Sequence, residues 1–316
     1  MELRLPRFLW LTAKDKSHFP EKPVALVKAI AKNRTEIIFS LLSEGVKLDA
    51  KDPDGLTAIS YAARYCNNSE ILALLLEKGS DINQKSKHGF TPLMLAAGYG
   101  NPIMTEALLN SGAELDIKGP EGSSTLITAL RMEADADSVD LLLEAGADPN
   151  DRDKDGTTAL MYSTGLSTEV AELLIEEGAD LNASTKEGVN CLMLALEQDD
   201  FLPMLDVLIS SGADISKRDN LGLTPLMLAA ADDSRIDAVD YLIRAGSDVN
   251  AKAEDGRTAL MIACLFSKEP AIVQRLLDAG ADPFVTDGNG ATAYDYIPDD
   301  SPLLDDDDIA DLLLGD

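Results

Sequence analysis

Few residues of this 316-residue chain have types and spacing that could do chemistry. The stretch from Asp151 to Gly156 has the alternating carboxylates that begin an EF-hand calcium loop, but the twelfth position is Tyr162 instead of the bidentate Glu. The two histidines, His18 and His88, cannot be paired with a nucleophile by spacing, and no Gly-rich phosphate loop or Gly-flanked Ser occurs. We therefore predict no catalytic residue, no metal site and no cofactor, and we do not expect an enzyme.

The cysteine spacing and the lengths of the apolar runs indicate in which cellular compartment the protein is found. Cys66, Cys191 and Cys264 form no close pair and lack metal-ligand spacing, which favours a reducing environment. No apolar run has the length of a membrane-spanning helix. The run from Phe8 to Leu11 is too short for a secretory signal, and charged residues follow it. We expect a cytoplasmic protein that does not enter a membrane.

The charge is strongly acidic and unevenly distributed. The formal net charge is −29, which argues against nucleic acid as a partner because phosphate neutralisation needs a basic surface. Residues 1–34 carry eight Lys/Arg against three Asp/Glu, a net charge of +5, so the rest of the chain carries −34. A basic start of this kind can be a tether, an intramolecular contact or a charged end, and we favour the charged end.

Two series of glycines run through the chain with one period. The first comprises Gly55, Gly89, Gly122, Gly156, Gly188, Gly222, Gly256 and Gly290, and the second comprises Gly45, Gly79, Gly112, Gly146, Gly178, Gly212, Gly246 and Gly280. Each second-series Gly precedes a first-series Gly by ten residues, and successive units are 32 to 34 residues apart. Such a fixed period predicts a stack of similar units.

The residues between the glycines predict two helices in each unit. Two residues after the first-series Gly stands Ser, Thr or Asn, which caps a helix start, and Pro92 and Pro225 follow directly where proline is tolerated. A Leu or Ile follows the cap, then small residues such as Ala96 and Ala97 that let helices approach closely. A second, Leu-rich helix ends at the second-series Gly, which suits the left-handed residue after a helix.

At this level of detail the sequence closely resembles the ankyrin repeat family. The similarity is carried by motifs such as Gly89-Phe90-Thr91-Pro92-Leu93 and Leu276-Leu277-Asp278-Ala279-Gly280-Ala281-Asp282. The resemblance implies an all-α solenoid over 22–316, built from stacked helix–turn–helix units joined by β-hairpin-like turns. We predict a basic extension at 1–21 followed by nine helix pairs. These are an N-terminal capping pair at 22–45, seven full repeats at 46–286 and a C-terminal capping repeat at 287–316. Met replaces the family's usual His in five units, so we expect an apolar contact in place of its hydrogen bond.

Surface positions that recur once per unit are the candidate partner-binding residues. In ankyrin proteins the matching positions lie on the concave groove and vary with the partner, which the resemblance implies here. The groove candidates are Leu56, Tyr65, Phe90, Tyr99, Met132, Leu166, Leu223 and Phe266, and the alternative for them is packing against a neighbouring unit. A basic ladder at the turn tips comprises Lys85, Lys118, Arg152, Arg218 and Lys252. The alternative to partner binding is that these residues reflect only the family's general preference for lysine at this turn.

The function predicted from the sequence is a non-catalytic scaffold that binds one or more partner proteins through its concave groove and turn tips. One alternative is an acidic inhibitor or immunity-type protein that masks a basic site on an enzyme or a nucleic-acid-binding protein. Another is a regulatory subunit that the basic extension docks onto a larger assembly. We expect a monomer.

Overall fold

Paired α-helices form the described part of the chain, which in this computed structural model comprises residues 21–268, 270–305 and 307–315. The predicted basic extension at 1–21 lies, except for its last residue, outside the described residues. The helices are α1 Glu21–Ala31, α2 Thr35–Ser43, α3 Ala58–Tyr65, α4 Ser69–Glu77, α5 Pro92–Gly98, α6 Pro102–Asn110, α7 Thr125–Leu130, α8 Ala136–Glu144, α9 Ala159–Ser163, α10 Thr168–Glu176, α11 Cys191–Ala195, α12 Leu202–Ser210, α13 Pro225–Ala229, α14 Ile236–Arg244, α15 Ala259–Phe266, α16 Pro270–Asp278 and α17 Asp307–Leu314. Short 3₁₀ turns lie at Pro120–Gly122, Asp233–Arg235, Tyr294–Tyr296 and Pro302–Asp305.

The helices pack in two rows within each of two compact units, unit 1 ending at Ala179 and unit 2 beginning at Asp180. We call the first helix of each pair the inner helix and the second the outer helix. In unit 1 the inner helices α1, α3, α5, α7 and α9 pack successively on one another, as do the outer helices α2 to α10. In unit 2 the inner helices α11, α13 and α15 and the outer helices α14, α16 and α17 do the same. The core of each unit lies between its two rows.

The inner helices begin at the predicted capping residues. The side-chain oxygen of Thr91 accepts a hydrogen bond from the amide of Met94 at 3.2 Å, and Asn190 accepts one from Met193 at 3.0 Å. Ser124, Thr158, Thr224 and Thr258 do the same. The methionines that follow are buried, and Met94 reaches the next turn: a Cβ on Gly119 would lie 2.8 Å from its sulfur. The apolar contact expected in place of the family's histidine is confirmed.

The outer helices end at the second-series glycines in the predicted left-handed conformation, with φ between +73° and +100°. At Gly79, for example, its amide donates to the Leu76 carbonyl and the amide of Ser80 donates to Leu75, at 2.9 Å each. These are the two bonds of a Schellman motif, which satisfies the last carbonyls of a helix. Nothing lies within 4 Å of a Cβ placed on these second-series glycines. Only the backbone conformation therefore demands glycine there.

The first-series glycines end tight turns, which we call the connector tips. In each tip the amide three residues before the Gly donates to the carbonyl one residue after it, as from Asp52 to Leu56 at 3.0 Å. Apart from the isolated bridge between Arg152 and Thr158, the described residues contain no β pairing. The turns are thus hairpin-like without forming strands.

Four pairs of successive tips are joined by a backbone hydrogen bond, donated by the amide two residues before the later glycine. The amide of Lys87 donates to Asp54 at 2.8 Å in unit 1, and Asn220 donates to Glu187 at 2.9 Å in unit 2. The bond brings the backbones so close that a Cβ on Gly55 would lie 2.8 Å from the Lys87 nitrogen. In the repeat of Gly122 the residue at the donor position is Pro120, which has no amide hydrogen. The tip-to-tip bond is therefore absent at that joint.

The last repeat corrects the prediction of nine helix pairs. The segment after Gly290 forms only the 3₁₀ turn Tyr294–Tyr296 where an inner helix was expected. Asp295 accepts hydrogen bonds from the amide and hydroxyl of Thr292, as at a helix start. Pro298 then forces the preceding Ile297 into an extended conformation, with ψ of 121°, so the turn cannot continue as a helix.

A tyrosine–aspartate pair, buried in one case and half-buried in two, supports three of the connector tips. The hydroxyl of Tyr162 donates to Asp153 at 2.8 Å, and Asp153 also accepts the amides of Asp155 and Thr157. The same pair recurs as Tyr61 with Asp52 and as Tyr296 with Asp287. The carboxylate organises the turn, and the tyrosine fixes the turn to the inner helix, or in the last repeat the 3₁₀ turn, that follows it.

The glycines at the connector tips can be tested by adding one methyl group. Gly222→Ala places a Cβ 2.6 Å from the Glu254 nitrogen at φ of +77°, whereas Gly246→Ala meets open space at φ of +97°. The left-handed backbone alone costs about 1 to 2 kcal/mol for alanine. We expect Gly246→Ala to lower the free energy of unfolding by that amount and Gly222→Ala to lower it further, measured by urea denaturation. Equal losses would show that tip-to-tip contact does not limit this position.

Tyr162→Phe tests the pair that supports the tip. Burial and the hydrogen bond to Asp153 raise the pKa of Tyr162 to about 12. Because the folded pKa lies above the unfolded one, near 10, the stabilisation is fully present below pH 10 and is lost as the pH rises through about 12. We expect the variant to be about 1 kcal/mol less stable at pH 7 and the difference to shrink above pH 10, measured by denaturation across that range. Tyr294→Phe is the control, and a constant difference would contradict the assignment.

Candidate protein-binding surface

The inner-helix row predicted for the groove is half-buried and apolar in unit 1. It lies at or just after the end of each inner helix and comprises Tyr65, Tyr99, Met132 and Leu166. Tyr65, Tyr99 and Leu166 are half-buried, whereas Met132 is buried and packs against the preceding repeat, where a Cβ on Gly98 would lie 2.7 Å from its sulfur. The row offers two tyrosines and a leucine to a partner, with Met132 as packing between them.

Arg64 joins the two tyrosines into one cluster. Its guanidinium carbon lies 3.7 Å from the centre of the Tyr99 ring and 4.8 Å from that of Tyr65. Tyr65 also stacks on Tyr61, with ring centres 6.3 Å apart and planes 20° apart. Burial raises the pKa of the Tyr65 hydroxyl, against the opposing charge of Arg64. We call Tyr61, Arg64, Tyr65 and Tyr99 the Arg64 cluster; its cation–π contacts hold both half-buried tyrosines in fixed positions.

Sequence reasoning missed Arg64, although the sequence contains a signal for it. The position just before the row is occupied by Arg in two repeats, as Arg64 and Arg131. Arg131 likewise lies over an aromatic ring, 5.9 Å from the centre of Tyr162, and pairs with Glu121 at 3.5 Å. An arginine beside an aromatic row can therefore indicate a cation–π cluster.

The second groove row, just after the first-series glycines, is mostly interior. Leu56 and Phe90 are 2% and 1% exposed, so their side chains belong to the core of unit 1. Leu223 in unit 2 is half-buried. For Leu56 and Phe90, as for Met132, the structure supports the packing alternative over partner contact, because a partner cannot reach side chains that the protein already covers.

Unit 2 presents a different row. Its members are Gln198, Asp232 and Phe266, and only Phe266, 55% exposed, is apolar. Arg235 holds the segments between the helices together: it donates to the Gln198 carbonyl at 2.8 Å, lies 3.6 Å from Asp232 and covers the ring of Phe201 at 4.8 Å. Phe266 is thus an apolar side chain on an otherwise polar surface.

The basic ladder residues are exposed, but each also bonds within the protein. Lys85 donates to the carbonyl of Lys118 at 2.8 Å, and Lys118 pairs with Asp151 at 2.8 Å. Arg218 donates to the Lys252 carbonyl, and Lys252 donates to Thr286 at 2.8 Å. Arg152 lies 3.4 Å from the Gly156 carbonyl in its own turn. Most residues of the basic ladder therefore bridge successive repeats, a role that the sequence did not reveal.

The carboxylates and thiols that could take part in chemistry are dispersed, hydrogen-bonded within turns or buried. In the residues that the structure describes, no three His, Cys, Asp or Glu side chains are grouped as metal ligands. Asp153 in the calcium-like stretch is occupied by its own turn and by Tyr162. Cys66, Cys191 and Cys264 are buried as free thiols, and burial raises their pKa values to about 11, 12 and 12. None of the helices described is long and apolar enough to cross a membrane.

Comparison with protein families decides the identity of the repeats. The family model described as ankyrin repeats (3 copies) matches residues 10–86, 26–119, 78–153, 126–219 and 192–287. The chain belongs to the ankyrin repeat family. Its fold is accordingly an ankyrin-repeat solenoid, as the sequence predicted. Ankyrin repeats generally mediate protein–protein interaction, and proteins built from them are typically not enzymes.

A solved ankyrin structure resembles this chain over most of its length. The ankyrin repeat domain of Bcl-3, described as a unique member of the IκB protein family, is 28% identical with a TM-score of 0.57. The match covers 70% of this chain and 97% of that domain. A comparison with curated proteins gives no match. The ankyrin assignment therefore rests on the family-model match and on the structural similarity.

The buried cysteines give a prediction about reactivity. Because the thiolate is the reactive form and burial disfavours it, we expect no thiol of the folded protein to react with a disulfide reagent at pH 8. After unfolding in urea all three should react, since Cys66, Cys191 and Cys264 are free. The measurement is the absorbance of the released thiolate with time. Rapid reaction of one thiol without denaturant would instead identify an accessible nucleophile.

Proposed function

We propose that this protein is a non-catalytic scaffold that binds a partner protein through the inner-helix row and connector tips of unit 1, with Phe266 as a separate contact in unit 2. The observation that carries the proposal is the Arg64 cluster. It holds Tyr65 and Tyr99 half-exposed and in fixed positions. The three unpaired, buried cysteines favour a cytoplasmic location for this scaffold.

The chemistry of the cluster suits a protein partner. Tyrosine and arginine, with tryptophan, are the side chains most enriched among residues that dominate binding energy at interfaces. A tyrosine already fixed by neighbours loses little conformational entropy when it binds. Leu166, half-buried further along the row, adds apolar area in the same unit. The partner we expect therefore presents apolar side chains, since the Tyr99 hydroxyl and one guanidinium nitrogen of Arg64 are buried within the protein.

The acidic surface supports the alternative function, an inhibitor that masks a basic site. Asp199, Asp200 and Asp232 are exposed between the helices of unit 2, and the net charge of the chain is −29. Binding through exposed charge weakens steeply with salt, because ions screen it. Binding through the Arg64 cluster does not, so the two functions differ in a measurable way.

The double variant Tyr65→Ala, Tyr99→Ala tests the proposed surface. We expect it to bind the partner at least tenfold more weakly, because two interface side chains of this kind contribute more than about 1 kcal/mol each. The partner would first be isolated on the immobilised protein from the source cell extract at low salt. Affinity for the purified partner would then be measured by titration calorimetry at low and high salt.

The matched control is Ile103→Ala, since Ile103 is an apolar side chain of unit 1 that is 49% exposed on the outer helix α6. It should bind like the wild type, and circular dichroism should show that both variants are folded. If salt alone abolishes binding and the tyrosine variant retains it, the acidic surface is the binding site and the inhibitor alternative stands.

A further inference from the structure

Among the described residues, nothing covers a face of the first helix pair whose equivalent is buried in the next seven repeats. Eight and four residues before each second-series glycine, the outer helices carry side chains that face the stack. From α4 to α16 these are Ile71, Leu75, Met104, Leu108, Ser138, Leu142, Val170, Leu174, Met204, Leu208, Ala238, Leu242, Ile272 and Leu276, none more than 3% exposed. In α2 the same positions are Ile37, which is 49% exposed, and Leu41, which is half-buried.

The inner helix of the first pair shows the same difference. Four residues after the first-series glycine, the inner helices from α3 to α15 carry Ile59, Leu93, Leu126, Leu160, Leu192, Leu226 and Leu260, each at most 1% exposed. The corresponding residue of α1, 34 positions before Ile59, is the half-buried Ala25. We call Ala25, Ile37 and Leu41 the leading face. It has the apolar character of a repeat interface without a described repeat stacked on it.

We propose that residues 1–20 of the same chain cover the leading face, with the apolar side chains of Phe8 to Leu11 packed against Ile37 and Leu41. These four residues are the apolar run nearest in sequence to the leading face among residues 1–20. Burying them against an apolar face removes both surfaces from water, which stabilises the contact. The ankyrin match also begins at residue 10, before the first described helix.

The connecting chain is long enough for this contact. Nine residues lie between Leu11 and Glu21, where α1 begins, and the ten residue-to-residue steps that join them span roughly 35 Å in an extended chain. The eleven residues of α1 extend over only about 16 Å. The sequence of residues 1–20 does not contain a complete further repeat, because Leu11 stands where a second-series glycine would fall, 34 residues before Gly45. In this proposal residues 1–20 act as a single covering segment on the leading face.

The only tryptophan of the chain, Trp10, lies within the proposed contact and reports on it directly. We expect the native protein to show tryptophan emission at a shorter wavelength, and weaker quenching by acrylamide, than the protein unfolded in urea. Ile37→Asp, which places a charge on the leading face, should shift the emission to the unfolded value and increase the quenching. The control Ile103→Asp places the same charge at an equally exposed isoleucine of α6 and should change neither.

A second variant separates docking from a general loss of structure. Phe8→Ser, Leu9→Ser keeps the tryptophan and leaves the described helices untouched, so it should give the same emission shift as Ile37→Asp. The combination of both changes should add nothing further, because each already breaks the one contact. Circular dichroism should show native helix content in all variants.

Three results would overturn the proposal. One is a native emission equal to that of the unfolded chain, which would leave Trp10 in water. Another is an equal response to Ile37→Asp and Ile103→Asp. The third is an emission shift that disappears on dilution while sedimentation shows a dimer dissociating, because the leading face would then be covered by a second copy of the chain.

Discussion

At four joints, the close approach of successive connector tips is the constraint that fixes how the repeats stack. Where the amide of one tip donates to the carbonyl of the preceding tip, as from Lys87 to Asp54, no Cβ fits between the two backbones. The first-series glycine supplies the space and the left-handed turn together. Once that spacing is fixed, the Leu and Ala rows of neighbouring helices meet at contact distance, and the side chains between them become fully buried.

The two units use the same backbone to present different surfaces. In unit 1 the end of the inner helices carries tyrosines gathered around Arg64, whereas in unit 2 the same positions carry Gln198 and Asp232 beside the exposed Phe266. The backbone hydrogen bonds and the buried methionines that follow the helix caps, such as Met94, do not depend on these residues. The surface positions are therefore free to differ between repeats without disturbing the fold, which is how one repeat architecture can serve many partners.

The sequence predicts the fold well because the features that fix it are local. A glycine that must be left-handed and a Thr or Asn that caps a helix act within a few residues, so their spacing alone places most helices. The missing inner helix of the last repeat follows from Pro298, a local signal that the repeat pattern obscured. The candidate site is less predictable. Whether Leu56 is interior and Tyr65 half-exposed depends on the neighbouring repeats, and the Arg64 cluster arises only when residues 35 positions apart meet.

Pro120 has a mechanical consequence. It stands where the other connected tips donate an amide, so the repeats that carry Tyr99 and Met132 are held together by side-chain packing without a backbone link at their tips. Packing yields to small displacements more readily than a directional hydrogen bond does. Under load, unit 1 should flex at this joint before it flexes between the tips of Asp54 and Lys87. The elastic joint lies directly beside the tyrosines, where a change in the spacing of the inner helices would adjust the surface to the shape of its partner.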